Sequence, residues 1–117
     1  MKDSGNRRSP RVEAEHFVSF HLFDDQGNVT FEGMALSLDL SREGILIENR
    51  EEIPVGAKVK IIVAVGDDVV PVMGTVKHTE KVDDRKFHMG IHFEDMTDEK
   101  LKKIAEYHPE ILQGGTR

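Results

Sequence analysis

Apolar and polar positions alternate from Val12 to Leu22, with Val12, Ala14, His16, Val18, Phe20 and Leu22 on one face and Glu13, Glu15, Ser19 and His21 on the other. Successive side chains of an extended chain point to opposite faces, so this period of two predicts a long, half-buried strand. The turn formers Asp24-Asp25-Gln26-Gly27-Asn28 follow, and a second extended stretch from Val29 to about Asp39 completes a hairpin. Within that stretch Val29 and Phe31 share a face, whereas Met34, Leu36 and Leu38 have the opposite parity. A change of phase at a glycine predicts a bulge near Gly33. Ile45-Leu46-Ile47 is a short apolar strand. Ile53-Pro54-Val55-Gly56 then turns the chain into the alternating Val59, Ile61, Val63 and Val65, and Gly66-Asp67-Asp68 is the next turn. Val69 to His78 reads as a strand in which Pro71, having no N–H to donate, favours an edge or a strand end. Asp83-Asp84 leads into a last alternation of Phe87, Met89, Ile91 and Phe93.

After six strand-like segments the period becomes helical. Thr97 is placed to cap a helix, Asp98 and Glu99 suit the positive end of its dipole, and Leu101, Ile104 and Ala105 form one apolar stripe that Pro109 brings to an end. Six short strands with tight turns and one terminal helix predict an all-β fold, a six-stranded antiparallel β-barrel with a C-terminal α-helix. Residues 1–10 (MKDSGNRRSP) are polar and aperiodic and predict a flexible arm. Residues 11–108 are expected to form the barrel and its helix, and residues 109–117 a tail.

Charge changes this picture. The 117 residues sum to -6, yet residues 1–11 carry Lys2, Arg7, Arg8 and Arg11 against Asp3 alone, so a basic arm precedes an acidic body. An acidic body is poorly suited to duplex nucleic acid, where affinity comes from neutralising many phosphates. A small ligand with one or two phosphates needs only a local patch. The chain has no cysteine, which removes disulfides, thiolate metal sites and cysteine nucleophiles together and points to a reducing cytoplasm. No apolar run approaches the roughly 18 residues of a membrane span and no apolar leader opens the chain, so a complete cytoplasmic protein is expected.

Catalytic patterns are missing from the sequence. It contains no GxxxxGK[ST] loop, no HExxH and no GxSxG elbow. His88 and His92 lie four apart, which on a strand separates them by about 13 Å, too far for one metal ion. His16 and His21 have opposite parity. All six histidines are therefore expected to be surface or core-edge residues, with no metal site, no cofactor and no enzymatic activity. The pairs Asp24-Asp25, Asp67-Asp68 and Asp83-Asp84 fall at turns, where Asp satisfies local backbone N–H groups.

Two short motifs remain. Arg7-Arg8-Ser9-Pro10-Arg11 is an RxxxR element just before the first strand, and Asp39-Leu40-Ser41-Arg42-Glu43-Gly44 is a DxSxxG turn after the second. If the first hairpin turns about Gln26, Arg11 lies opposite Ser41 and the two motifs meet at one end of the barrel. Arginine can bind guanine O6 and N7 bidentately or clamp a phosphate, and Asp accepts from guanine N1 and N2. Ser41 adds a hydroxyl, and Gly44 allows backbone to come close to a ligand or to take a positive φ.

These motifs, with Val55-Gly56 and Gly90-Ile91-His92-Phe93, make the sequence similar to the PilZ domain, the bacterial cyclic di-GMP receptor module, over approximately residues 6 to 108. The resemblance implies a six-stranded antiparallel barrel with a C-terminal helix. It also implies that Arg7 and Arg11 grip guanine and phosphate groups, that Asp39 and Ser41 read a guanine edge, and that Gly44 shapes the turn. Members often carry a further Arg just before RxxxR; here that position is Asn6, which bears on affinity and on the number of nucleotides bound, and Arg8 is the neighbouring substitute. Some members supply an aromatic or basic platform from the fifth strand, for which His78 is the nearest candidate. The expected function is a non-catalytic receptor that binds cyclic di-GMP and passes a conformational signal to a downstream protein, with residues 1–10 becoming ordered on binding. The alternative is a PilZ-like structural or protein-interaction module that does not bind the nucleotide.

Overall fold

The computed structural model describes residues 16–112. Six strands form a closed barrel: β1 (His16–Phe23), β2 (Val29–Leu40), β3 (Gly44–Asn49), β4 (Lys58–Val65), β5 (Asp68–Asp83) and β6 (Lys86–Phe93). The order around the barrel is β1-β2-β3-β6-β5-β4, with β4 pairing back onto β1 and every neighbouring pair antiparallel. Closure leaves no free sheet edge along most of its length. The helix α1 (Asp98–Tyr107) follows, then a 3-10 helix (Pro109–Leu112). The six strands and the terminal helix predicted from periodicity are all present.

The alternating positions of β4 behave as read, with Val59, Ile61, Val63 and Val65 all buried, and Met89, Ile91 and Phe93 do the same on β6. The β1–β2 turn is closed by Asp24, whose carboxylate accepts from the backbone N–H groups of Gln26 and Asn28, both at 2.9 Å. Gly27 has φ 86° there, a left-handed conformation that favours glycine. Beyond this turn the ladder slips between Leu22 and Phe23, so His16 faces Ser37, one residue further along β2 than a turn centred on Gln26 would place it.

The expected bulge at Gly33 is not there. Pairing between β1 and β2 runs unbroken through Phe20 opposite Gly33, and the β2 irregularity falls instead between Ser37 and Asp39, against β3. Ala35 and Ser37 point into the barrel before that slip and Leu40 after it, while Met34 is exposed. The inward positions of β2 are small because the large side chains of β1 fill the space. A Cβ on Gly33 would lie 2.8 Å from Phe31 Cε2 and 3.2 Å from Phe20 Cζ, and these two rings sit 5.8 Å apart. Ala35 likewise faces Val18.

β5 continues to Asp83, well past His78. Pro71 lies in the first part of β5, which pairs with β4 alone, because pairing with β6 begins only at Gly74; this is the local edge expected for a residue without an N–H. Thr97 caps α1, its side chain accepting from the Lys100 N–H at 3.2 Å, and Leu101 and Ile104 are buried in the core together with Ile111 of the 3-10 helix. α1 packs against β4 and β5. Burying each isoleucine contributes roughly 1.5–3 kcal/mol, so the helix holds to the barrel through a few large side chains. Among the described residues no helix is long and apolar enough to cross a membrane.

Candidate functional site

Asp39, Ser41, Gly44 and His78, four of the seven residues singled out from the sequence, line a single open cleft of about 470 Å³ on the outer face of the barrel. Arg7, Arg8 and Arg11, and the expected mobile arm of residues 1–10, lie outside the described residues. The cleft forms where the β2–β3 turn meets β6 and β5, and Glu43, Lys77 and His92 also line it. Its volume falls within the roughly 300–1,000 Å³ of small-molecule clefts.

The turn is built by Ser41. Its N–H donates to the Gly44 carbonyl at 2.9 Å, its Oγ donates to the same carbonyl at 3.3 Å, and Oγ accepts from the N–H groups of Glu43 and Gly44, each at 3.3 Å. One O–H and two lone pairs are the whole inventory of a hydroxyl, so Ser41 spends it on the turn. Asp39 enters this turn from β2, just past the slip, opposite Leu46 of β3. The Glu43 carbonyl accepts from the Phe93 N–H at 2.8 Å and ties the turn to β6.

Gly44 faces His92 of β6. It is not among the glycines with positive φ, which are Gly27, Gly56 and Gly66 among the described residues. Its need is steric: a Cβ at Gly44 would run into the carbonyl oxygen of Ile91 and lie 3.3 Å from the carbonyl carbon behind it. The close backbone approach anticipated at this position is thus made to a neighbouring strand.

His78 reaches the cleft through a bulge. Strict alternation after Val72, Gly74 and Val76 would turn His78 into the core. Instead the β5–β6 register shifts between Val76, which faces Ile91, and His78, which faces Gly90. Lys77 is the extra residue, and both Lys77 and His78 are exposed. The imidazole occupies the space where a side chain at 90 would be, since a Cβ on Gly90 would lie 2.6 Å from His78 Nδ1. Lys77, Glu43 and His92 were not singled out from the sequence as site residues; Lys77 adjoins His78, but only the bulge brings both to one surface.

Charge in the cleft is mixed. Its described lining has Asp39 and Glu43 against Lys77, with the imidazoles of His78 and His92 beside them. A ligand with two phosphates therefore needs cations beyond the described lining. His88, the partner of His92 in the sequence spacing, is turned to a different contact, 3.0 Å from Glu48 Oε1.

A family model for the PilZ domain matches residues 5–108. The chain belongs to the PilZ family. The match includes both the RxxxR and DxSxxG elements and the whole barrel with its helix. PilZ domains are generally cyclic di-GMP binding modules, a receptor family and not a catalytic one. Among curated proteins and among solved structures, none matches this PilZ chain.

Proposed function

We propose that this PilZ domain is a non-catalytic cyclic di-GMP receptor that converts nucleotide binding into a conformational signal for another protein. The observation that carries the reading is the convergence of Asp39, the Ser41 turn, Gly44 and His78 on one open cleft in a chain of this family. Asp39 accepts from guanine N1 and N2, while Ser41 and Gly44 hold the backbone that presents it. His78 and Lys77 offer a ring face and a cation from β5. Arg7 and Arg11, with Arg8 beside them, supply the phosphate clamp and the bidentate guanine contact that the described lining, with Lys77 as its one fixed cation, does not provide. The signal is proposed to pass through residues 1–10, the segment that carries Arg7 and Arg8. Phe17, Phe31 and Met34, exposed on β1 and β2, favour a role in contacting a protein and equally suit the interaction-module alternative.

Calorimetric titration of the full chain with cyclic di-GMP and with cyclic di-AMP tests this. Binding of cyclic di-GMP is expected, lost by at least tenfold in Arg7→Ala or Arg11→Ala and also in Arg11→Lys, which keeps the charge without the fork. Asp39→Ala is expected to erode the preference for guanine over adenine more than it weakens overall attraction. No heat and no chemical-shift change at high cyclic di-GMP would favour the interaction module.

A further inference from the structure

Away from the cleft, His16 at the start of β1, His108 just after α1 and Glu110 of the 3-10 helix come together. Each presents one donor atom, and the three donors lie within 4.8 Å of one another. The imidazoles stack with centroids 4.5 Å apart and planes inclined by 17°. His108 Nε2 lies 2.9 Å from the backbone carbonyl of Ala64. A carbonyl oxygen only accepts, so Nε2 carries a proton, and Nδ1, 3.8 Å from Glu110 Oε2, is the nitrogen placed to take a metal. This is how metal-ligating histidines are held, one nitrogen anchored to a carbonyl so that the other has a fixed tautomer and direction. Glu110 Oε2 is itself buried and makes no hydrogen bond, a costly arrangement for a carboxylate oxygen unless a cation shares the site.

We infer that His16, His108 and Glu110 form a binding site for a divalent transition metal, best matched by Zn2+. Two imidazoles and one carboxylate are a borderline donor set, which selects Zn2+ and its neighbours over the all-oxygen preference of Mg2+ and Ca2+. With bonds of about 2.0–2.1 Å, ligand atoms around tetrahedral zinc are about 3.3 Å apart, so binding must draw together donors that now lie within 4.8 Å and turn the near-parallel rings until both lone pairs point at the ion. Three protein ligands leave a fourth position for water or for a group from a bound partner. The ion would tie the residue that begins β1 to the end of the helix, fastening the two chain ends of the barrel across the Ala64 end of β4.

The test uses the untagged full chain after chelator dialysis, titrated with Zn2+ by calorimetry and with Co2+ by absorption and paramagnetic NMR. Expected are one ion per chain, absorption bands of a four- or five-coordinate nitrogen–oxygen site, and large paramagnetic shifts on the His16 and His108 rings. The melting temperature is expected to rise by about 10 °C at a hundredfold excess of Zn2+ over Kd. Glu110→Gln preserves shape while removing the anionic donor and should weaken binding at least tenfold, as should His108→Gln; His21→Ala should leave it unchanged. Absence of stoichiometric binding, undiminished affinity in both Glu110→Gln and His108→Gln, or paramagnetic shifts centred on other histidines would overturn the assignment. The NMR arm decides even if a variant fails to fold.

Discussion

Replacing Gly44 by alanine separates a structural from a ligand-binding role for the last residue of the DxSxxG turn. The added Cβ meets the Ile91 carbonyl oxygen directly, with the Ile91 carbonyl carbon at 3.3 Å and His92 Cα at 3.4 Å. These are backbone atoms of β6 and cannot swing away as a flexible side chain would. Relief requires the start of β3 to part from β6, which loosens the Glu43–Phe93 and Ser41–Gly44 backbone bonds at 2.8 and 2.9 Å. Overpacking costs about 1–3 kcal/mol and each weakened bond about 0.5–1.5 kcal/mol. Alanine returns only about 0.4–1 kcal/mol by restricting the unfolded chain. The balance is a loss of about 3 kcal/mol, which for a domain of this size lowers the melting temperature by roughly 10–20 °C. Urea denaturation monitored by circular dichroism measures it, with Gly27→Ala as the contrast: no atom lies within 4 Å of a Cβ there, and only its φ of 86° is strained, so a loss of about 1 kcal/mol is expected. If Gly44→Ala unfolds within about 0.5 kcal/mol of the parent, the close approach to β6 is not what requires glycine. Parental stability combined with lost nucleotide binding would assign Gly44 to the ligand instead.

Ile104 is fully buried between α1 and the barrel, and Ile104→Ala is expected to cost about 2–5 kcal/mol in denaturation; a loss under about 1 kcal/mol would show that the helix is not held through this residue. Ser37 is completely buried and its Oγ has no hydrogen-bond partner, so Ser37→Ala should stabilise the fold by about 1 kcal/mol, whereas a clear destabilisation would reveal an internal water bonded to the hydroxyl. The Glu94 carboxyl is held below its usual value first by the Thr75 hydroxyl and then by Lys58, with Nζ at 2.9 Å. A depressed folded-state value stabilises the protein above the ordinary carboxylate range and is lost as pH falls from about 4.5 through the folded value. Glu94→Gln should therefore be less stable than the parent at neutral pH and converge with it in acid, by a small margin because the pair is half exposed; parallel pH profiles would contradict this.

Much of the barrel was legible because strand alternation is a local signal. Val59 stands out between Lys58 and Lys60, and Met89, Ile91 and Phe93 stand out against His88, Gly90 and His92, so a residue's face follows from its own parity. Thr97, Asp98 and Glu99 announce the helix by equally local chemistry, and the DxSxxG turn is visible because Ser41 and Gly44 act on each other across three residues. β2 was misread because its inward side chains are small, a choice made by Phe20 and Val18 across the ladder and invisible in β2 alone. The same dependence on partners governs the site. His78 stands on the surface only because β5 slips one residue against β6 at Lys77, and its ring has room only because residue 90 is glycine. The meeting of His16 with His108 and Glu110 joins chain segments about ninety residues apart, which parity and spacing cannot register. Residue order settled which segments extend, turn and coil; register and barrel closure, set by which strand packs against which, decided which of their polar groups share a surface.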